Sequence, residues 1–189
     1  YIDALAERLA EVIADVPENI CFERIPGQGR SQICPVEASA ERGGAVCNLV
    51  AQAFLDQTPL ADVTIQNGGG CRTDIAAGDF TFEDAISVLP FSNTLVNIVM
   101  SGADIKLVME QALENVFSGG SSGAYPYAAG LRYDIDANGA LGSRISNLEV
   151  NSRLTGEWAP IDMEADYTVV TNSFIAAGRD GYLQFAEID

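Results

Sequence analysis

The stretch "ADVTIQNGGGCR", residues 61–72, joins an apolar segment to three consecutive glycines, a cysteine and an arginine. An apolar, β-branched segment followed by three glycines predicts a strand that runs into a loop. The loop lacks both the GK[ST] ending of a phosphate-binding P-loop and the GxGxxG spacing of a dinucleotide-binding turn. Two interpretations stay open: a tight turn, or a concavity of backbone N–H groups that binds an anion beside Arg72.

Helical and strand patterns alternate in the first half of the chain, and strand patterns dominate the second half. Helices are predicted in "YIDALAERLAEVIADV" up to Pro17, in "AVCNLVAQAFLDQ", after Thr81 as N-cap, and in "SGADIKLVMEQALENVFS". Strands are predicted in "NICFERI", "ADVTIQN", "TLVNIVMS", "LRYDID", "ISNLEV" and "YTVVTNSF". In the last helix, the core side is predicted to carry Ile105, Val108, Met109, Ala112, Leu113 and Val116. This pattern predicts a mixed α/β domain with layered packing.

The composition excludes several classes of function. The 189 residues carry a formal net charge of −17, which repels nucleic-acid phosphates and anionic membrane surfaces. Because the sequence has no histidine, neither a Ser-His-Asp triad nor a His-ligated metal centre can form within it. An all-carboxylate metal site stays open, although the acidic residues are scattered. No apolar run approaches the roughly 20 residues that span a bilayer.

The four cysteines are Cys21, Cys34, Cys47 and Cys71, and their spacing contains no CxxC pair of the kind that binds zinc. Four buried thiols, or any of three disulfide pairings, fit the sequence. We expect two disulfides: Cys21–Cys34 would close a loop that contains glycine and proline, and Cys47–Cys71 would tie a helix start to the glycine loop. Disulfides in an acidic chain with a single lysine, Lys106, favour the periplasm or the cell exterior.

Three further stretches combine small residues with aromatic or acidic ones: "PFSN" (residues 90–93), "SGAYPYAAG" (residues 122–130) and "TNSFIAAGRDGY" (residues 171–182). A loop of small residues allows a ligand to approach the backbone closely. The alternatives are a core phenylalanine in the first stretch and ordinary loops or strand-end turns in the other two. None of the three predicts a function by itself.

In chain order, "NGGGCR", "AAGDFTFEDAISVLPFSNTLV", "SGAYP" and "YTVVTNSFIAAGRDGY" resemble the C-terminal domain of the secreted 5'-nucleotidase family, which includes periplasmic UDP-sugar hydrolases and cyclic-nucleotide phosphodiesterases. The resemblance extends from about Ala45 to Tyr182. It implies an α+β fold, that is, a mixed α/β domain with α/β/β/α layers. It also implies that residues 1–17 are a linker helix from a preceding metallophosphatase domain, and that residues 18–189 are the substrate-binding domain.

The resemblance further implies that two domains divide the work of the enzyme. In that family the N-terminal domain holds two divalent metal ions with His, Asp and Asn ligands, and the C-terminal domain binds the nucleoside. The two domains close over the substrate by rotation. The lack of histidine in this chain fits the second role. We therefore expect no catalytic residue and no metal ligand here, and the expected partners are a nucleotide or nucleoside and the metallophosphatase domain.

The family's base-binding residues match individual positions of this sequence. Phe91 and Phe174 resemble two aromatic residues that sandwich the nucleobase, a role that suits them because every base has a π-face. Asn93 resembles the amide that contacts the edge of the base. Gly123 matches a glycine of the same pocket, where a side chain would intrude.

The sugar and phosphate contacts are matched in the same way. Asp180 resembles the carboxylate that accepts hydrogen bonds from the ribose hydroxyls. Asn67 and Arg72 match polar groups that reach the ribose and the phosphate. The resemblance therefore assigns the polar residue before the glycine loop and the arginine after it to one binding site.

Several positions depart from the family pattern. Arg179 replaces a glycine beside the ribose contact, and we expect its side chain to point to solvent. Ala40 stands where a phosphate-contacting arginine is expected, and Arg42 matches only the second arginine of that region. Cys47 and Cys71 occupy motif positions that lie near each other in the family's fold, which favours their pairing.

Two other functions stay open. The same fold could serve as a non-catalytic extracellular binding module, as the missing arginine at Ala40 indicates. A related thiosulfohydrolase of sulfur oxidation is a second alternative, but its substrate has no base for Phe91 and Phe174 to stack. The order of the motifs favours the nucleoside-binding domain of an enzyme that hydrolyses phosphate esters.

Overall fold

The computed structural model of the chain describes residues 2–153 and 155–188. Its helices are α1 (Ile2–Leu9), α2 (Ala45–Gln57), α3 (Phe82–Val88), α4 (Gly102–Phe117) and α5 (Ser173–Ala176). Its strands are β1 (Val12–Val16), β2 (Val63–Asn67), β3 (Gly78–Thr81), β4 (Leu95–Ser101), β5 (Pro126–Ala129), β6 (Leu131–Ile135), β7 (Ile145–Asn151), β8 (Trp158–Pro160) and β9 (Asp166–Asn172). The chain divides into a first compact unit, Tyr1–Cys47 with Gly70–Ser92, and a second, Asn48–Gly69 with Asn93–Asp189.

In the first unit, β1 and β3 form an antiparallel ribbon that pairs Val12 with Thr81. The prediction of a single helix through residue 16 is therefore wrong beyond Leu9, where α1 ends. Val12 and Ile13 are β-branched and favour extended backbone. Their pairing partner lies far along the chain, so helical periodicity alone could not reveal it.

The helix α3 begins as the sequence predicts, with Thr81 as its N-cap. The Thr81 hydroxyl accepts a hydrogen bond from the backbone N–H of Asp84 at 3.2 Å, and the Asp84 carboxylate accepts one from the backbone N–H of Thr81 at 2.8 Å. This reciprocal pair is a capping box. The hydrogen bonds that Asp84 accepts from the Thr81 side chain and backbone lower the pKa of its carboxyl.

A long loop between β1 and α2 is organised around the buried carboxylate of Glu23. It accepts hydrogen bonds of 2.6 to 3.3 Å from the backbone N–H groups of Arg24, Gly29 and Arg30 and from the hydroxyl of Ser39. A buried charge is tolerated when several donors satisfy it. The loop around this carboxylate therefore has a definite structure despite its irregular backbone.

Residues 19–25 do not form the strand that the sequence predicts, and they contribute only an isolated bridge between Ile20 and Ile75. The backbone there follows the Glu23 loop, which the disulfide between Cys21 and Cys34 also closes. Strand-like residues alone do not form a strand when the surrounding contacts hold the backbone in another path.

Both predicted disulfides are confirmed, and both lie in the first unit. The Cα atoms of Cys21 and Cys34 are 5.9 Å apart, and so are those of Cys47 and Cys71. The second bridge joins the start of α2 to the residue before Arg72. Neither cysteine of this bridge is more than 1% exposed, so the bridge is part of the core of this unit.

In the second unit, a four-stranded sheet has the order β4-β9-β2-β5. β2 runs parallel to β9 and antiparallel to β5, and β4 runs antiparallel to β9. β6, β7 and β8 form a separate antiparallel sheet. The predicted core side of α4 is confirmed, because the structure buries all six of its residues, namely Ile105, Val108, Met109, Ala112, Leu113 and Val116.

Two strands of the second unit were not predicted. β5 lies in residues 119–130, which the sequence pattern predicts as loop, and it pairs with β2 at the edge of the sheet. Pro126 is its first residue, a position where the missing N–H of proline does not interrupt the ladder. β8 has three residues, which is too short for alternation to be recognised.

The mixture of helices and strands confirms the predicted mixed α/β class. Within the described residues, no helix combines the length and the apolar character that crossing a membrane requires.

The first disulfide generates a stability prediction. Its two cysteines are 13 residues apart, and the chain-entropy relation gives roughly 3 kcal/mol of stabilisation for a loop of that size. Replacing Cys21 and Cys34 together by alanine should lower the free energy of unfolding by about that amount in urea titrations. The control is Ile33→Ala in the same loop, where the side chain is partly exposed. Equal stability of the double variant and the wild type would contradict the prediction.

Candidate functional site

Two residues that the sequence analysis assigns to one site meet in the second unit. Asn67 lies at the end of β2, and its side-chain N–H donates a hydrogen bond to the carboxylate of Asp180 at 3.0 Å. The two residues are 113 positions apart in the sequence. Asn67 is only 3% exposed, so its amide is held by protein partners. Among the described residues, Asn67 is the hydrogen-bond donor to the Asp180 carboxylate.

A second amide, that of Asn172 at the end of β9, holds Asn67 in place. The Asn172 side-chain nitrogen donates to the side-chain oxygens of Gln66 at 2.8 Å and Asn67 at 3.0 Å. Its oxygen accepts from the backbone N–H groups of Phe174 at 3.0 Å and Ile175 at 3.2 Å. The sequence analysis missed Asn172, although an asparagine just before a helix start is an N-cap signal.

The short helix α5 presents Phe174 at the surface. Asn172 caps this helix, and Ile175 is fully buried while the neighbouring Phe174 is 41% exposed. Because Ile175 anchors the helix to the core, the ring of Phe174 is displayed rather than packed. An exposed aromatic ring of this kind offers a flat, apolar face at the surface.

Asn93 precedes a segment that is tied to the start of α5. Ser173 donates its backbone N–H to the carbonyl of Thr94 at 2.8 Å, and its hydroxyl accepts from the N–H of Thr94 at 3.2 Å. In the sheet, Leu95 pairs with Asn172. Asn93 is exposed and lies one residue before this double contact, so the structure places it near the Phe174 end of the second unit.

Asp180 is held in a left-handed backbone conformation, with φ 54° and ψ 23°. Aspartate tolerates this region better than most residues, but such a conformation persists only when its surroundings enforce it. Next to it, Gly181 has φ 85°, and a Cβ there would lie 2.7 Å from the Cβ of Asn115. The buried Tyr182 then donates its hydroxyl hydrogen to the carbonyl of Ala124 at 2.8 Å. The loop that carries Asp180 is therefore anchored by the two residues that follow it.

The glycine loop turns out to be a site of close backbone packing. Residues Gly68–Gly70 form a 3-10 turn, and Gly68 donates its N–H to the carbonyl of Tyr125 at 2.9 Å. A Cβ on Gly69 would lie 3.0 Å from the Cα of Gly123, and one on Gly123 would lie 3.1 Å from the Cα of Gly69. The structure thus supports the tight turn for Gly68 and Gly69. It also gives a packing reason for the predicted site residue Gly123.

In the first unit, Arg72 and Phe91 are brought together. The guanidinium carbon of Arg72 lies 5.6 Å from the centroid of the Phe91 ring, within the range of a cation–π contact. The backbone N–H of Arg72 donates to the carbonyl of Val88 at 3.1 Å, and Cys71 before it is bridged to Cys47. These contacts thus fix the main chain at Arg72, while its side chain and that of Phe91 are exposed.

Three of the positions that the sequence analysis compares with the family pattern lie at the surface. Ala40 and Arg42 in the first unit and Arg179 in the second are all exposed. The exposure of Arg179 agrees with the expectation that its side chain points to solvent.

The donor groups of the described residues are not clustered as in a metal centre. Among the described residues, no group of three or more Cys, Asp and Glu side chains is arranged to hold a metal ion, and the sequence has no histidine.

Comparisons with known proteins show a family match over most of the chain. The family described as "5'-nucleotidase, C-terminal domain" matches residues 27–187. The chain is 38% identical over 183 residues to a NAD 5'-nucleotidase of Haemophilus influenzae, with 96% of this chain and 30% of that protein covered. The structure of the Haemophilus influenzae NAD nucleotidase matches with a TM-score of 0.86 and 34% identity, covering 99% of this chain and 32% of that chain.

A second solved structure, a 5'-nucleotidase precursor from Thermus thermophilus, matches with a TM-score of 0.79 and 31% identity and covers 100% of this chain and 34% of that chain. The chain therefore spans about a third of the length of the relatives that it matches. These matches confirm the predicted fold class, a mixed α/β domain of the 5'-nucleotidase C-terminal type.

The buried tyrosines around the Asp180 loop predict how stability depends on pH. Burial raises the pKa of Tyr125 to about 12, and burial, with smaller contributions from Tyr133 and Asp180, raises the pKa of Tyr182 well above its usual value. In the unfolded chain these tyrosines titrate near pH 10. Below about pH 10 their contribution to stability is constant, and above it the unfolded chain releases protons that the folded chain retains. The free energy of unfolding should therefore fall as the pH rises from about 10 toward 12.

Urea unfolding at several values in this pH range, with tyrosinate absorbance recorded in parallel, measures this effect. Tyr182→Phe should show a smaller fall with pH, because one buried hydroxyl no longer titrates. At neutral pH the variant should be less stable by about 1 kcal/mol, through loss of the hydrogen bond to Ala124. A fall that is equally steep in the variant and the wild type would show that Tyr182 is not among the groups responsible.

Proposed function

The chain belongs to the family of 5'-nucleotidase C-terminal domains, and from this membership we propose that it binds the nucleoside part of the substrate of a two-domain, metal-dependent 5'-nucleotidase-like phosphohydrolase. In this proposal a preceding metallophosphatase domain, to which residues 1–17 provide the link, hydrolyses the phosphate ester. Relatives named as 5'-nucleotidases support the reaction class. The chain itself contributes substrate binding and positioning, which lower the barrier by orienting the reacting groups in advance.

The observation that carries the proposal is the assembly of Asn67, Asp180 and Phe174 in the second unit. A carboxylate in an enforced conformation, an amide bonded to it and an exposed aromatic ring are the groups that a nucleoside requires. Asp180 accepts hydrogen bonds from the ribose hydroxyls in the proposed complex, since an ionised carboxylate offers only acceptors. Asn93 contacts the edge of the base, and Gly123 leaves room beside the glycine turn.

Base binding in this proposal relies on stacking against Phe174 and Phe91. Both rings are exposed, by 41% and 51%, so each has a face that a ligand can reach. Stacking on an aromatic side chain contributes roughly 1–3 kcal/mol per base and tolerates different bases. A domain of this kind would accept several nucleotides, including AMP and the NAD that the name of the Haemophilus relative contains.

Arg72 supplies the proposed contact to the phosphate. Its guanidinium is always protonated and offers donors in a planar fork that matches phosphate oxygens. The chain carries a formal net charge of −17, so a local cation of this kind is needed to bind an anionic group. The Phe91 ring beside the guanidinium restricts its orientation.

The proposal includes an oxidising compartment for the protein, and it leaves one alternative function. Two disulfides and an acidic composition favour an oxidising location, the periplasm or the cell exterior. A non-catalytic binding module of the same fold is the alternative, and the missing arginine at Ala40 is the observation that favours it. A preceding segment with the Asp and His ligands of a metallophosphatase supports the enzyme, and a preceding segment without them supports the module.

Calorimetric titration of the chain with adenosine tests the base contact. We expect measurable binding, and we expect Phe174→Ala to weaken it by roughly 5- to 150-fold, the range that corresponds to the loss of one stacked base. Trp158→Ala is the matched control, because Trp158 lies in the same unit and is similarly exposed, at 38%. Absence of heat at millimolar adenosine, or equal affinities for Phe174→Ala and the wild type, would refute the proposed role.

Kinetics of the full-length protein with AMP test the phosphate contact. Arg72→Gln should raise KM for AMP by about tenfold or more, because one charge-assisted contact is lost. The affinity for adenosine, which has no phosphate, should stay unchanged. Arg8→Gln is the control for the change in net charge, since Arg8 lies in α1 and is exposed. Equal losses for AMP and adenosine would show that Arg72 acts through the fold and not through the phosphate.

A further inference from the structure

We infer that Asn172 is a positioning residue that couples recognition of the ribose to presentation of the base-stacking ring, an inference that rests on the proposed function. Asn172 is 3% exposed and lies at the end of β9. It makes one set of hydrogen bonds toward Phe174 and another toward Asn67, which contacts Asp180. The residue reaches both parts of the candidate site without lying in either.

The first step is that the Asn172 amide has no freedom to turn. Its nitrogen carries two hydrogens and its oxygen has two lone pairs. Both hydrogens are donated, to Gln66 and Asn67, and both lone pairs are used, by the N–H groups of Phe174 and Ile175. Exchange of the oxygen and the nitrogen would oppose donors to donors and acceptors to acceptors inside the protein, which is costly for buried groups.

The second step is that Asn172 sets the orientation of Asn67. Because the Asn67 oxygen accepts from Asn172 at 3.0 Å, its nitrogen is the atom that faces Asp180. A reversed Asn67 amide would put an oxygen against the carboxylate, where two acceptors repel each other. The hydrogen bond from Asn67 engages one oxygen of the Asp180 carboxylate and so restricts the orientation in which the carboxylate would receive the ribose hydroxyls.

The third step is that the oxygen of Asn172 orients Phe174. By accepting from the backbone of Phe174 and Ile175, it starts α5 at a fixed residue and angle. The helix has only four residues, so its direction depends on this cap. Loss of the cap would move the ring while leaving its chemical nature unchanged.

The acceptor role of the Asn172 oxygen and the donor role of its nitrogen can be separated by substitution. Asn172→Asp keeps an oxygen for the N–H groups of Phe174 and Ile175 and removes both donated hydrogens. Asn67 then turns its nitrogen toward the introduced carboxylate and no longer toward Asp180. Asn172→Ala removes both roles, and Asn172→Ser, which keeps only a short capping oxygen, is the second variant if the introduced charge prevents folding.

The experiment compares the affinities of the full-length protein for adenosine and for 2',3'-dideoxyadenosine by calorimetry. The wild type should prefer adenosine by about tenfold or more, because the analogue leaves Asp180 without its hydroxyl partners. Asn172→Asp should reduce this preference to about twofold or less while binding the dideoxy analogue within about threefold of the wild-type affinity. Asn172→Ala should weaken the binding of both ligands.

Asn138→Asp in the exposed turn after β6 is the control for the added charge, and it should keep the wild-type preference. Circular dichroism and the Tm of each variant establish that it is folded. A folded Asn172→Asp or Asn172→Ser variant that retains the full preference for adenosine would overturn the inference. If Asp180→Ala also retains the preference, or if the wild type binds neither ligand, the proposed function itself has failed.

Discussion

The candidate site of the second unit depends on the hydrogen bonds that the buried side-chain amide of Asn172 makes. Its four hydrogen bonds connect the end of β9 to the end of β2 and to the start of α5. Each hydrogen bond of a buried amide adds little to the free energy of unfolding, but a buried donor or acceptor left without a partner lowers it substantially. This asymmetry makes the network rigid, and the rigidity transfers to the exposed ring of Phe174 and to the half-buried carboxylate of Asp180.

The elements that could be predicted from the sequence are those whose signals are local. The existence of helix α2, the core face of α4 and the cap of α3 by Thr81 all follow from periodicity and capping rules over a few residues. The ribbon β1–β3 and the edge strand β5 could not be predicted in this way. Each exists because a partner strand lies far along the chain. The helical spacing of the apolar residues in 12–16 is therefore not enough to predict the local structure there.

Prediction from local sequence signals meets the same limit for the side chains of the candidate site. The resemblance of the motifs predicts Asn67, Phe174 and Asp180 as site residues, and the structure links them by hydrogen bonds through Asn172. It did not reveal how they are held. Asn172 has a visible signal as an N-cap, but its bonds to Gln66 and Asn67 cross more than a hundred positions of sequence. The glycine turn is a similar case, because its packing against Gly123 depends on contacts that no motif encodes.

Nuclear Overhauser contacts between adenosine and the chain, recorded by solution NMR, examine the proposed nucleoside site without any substitution. Binding as proposed brings the adenine protons close to the ring protons of Phe174 and the ribose protons close to the side chain of Asp180, with both sets present in the same complex. Contacts concentrated on another surface of the second unit, such as the exposed ring of Trp158, with none at Phe174 and Asp180, would contradict the proposal.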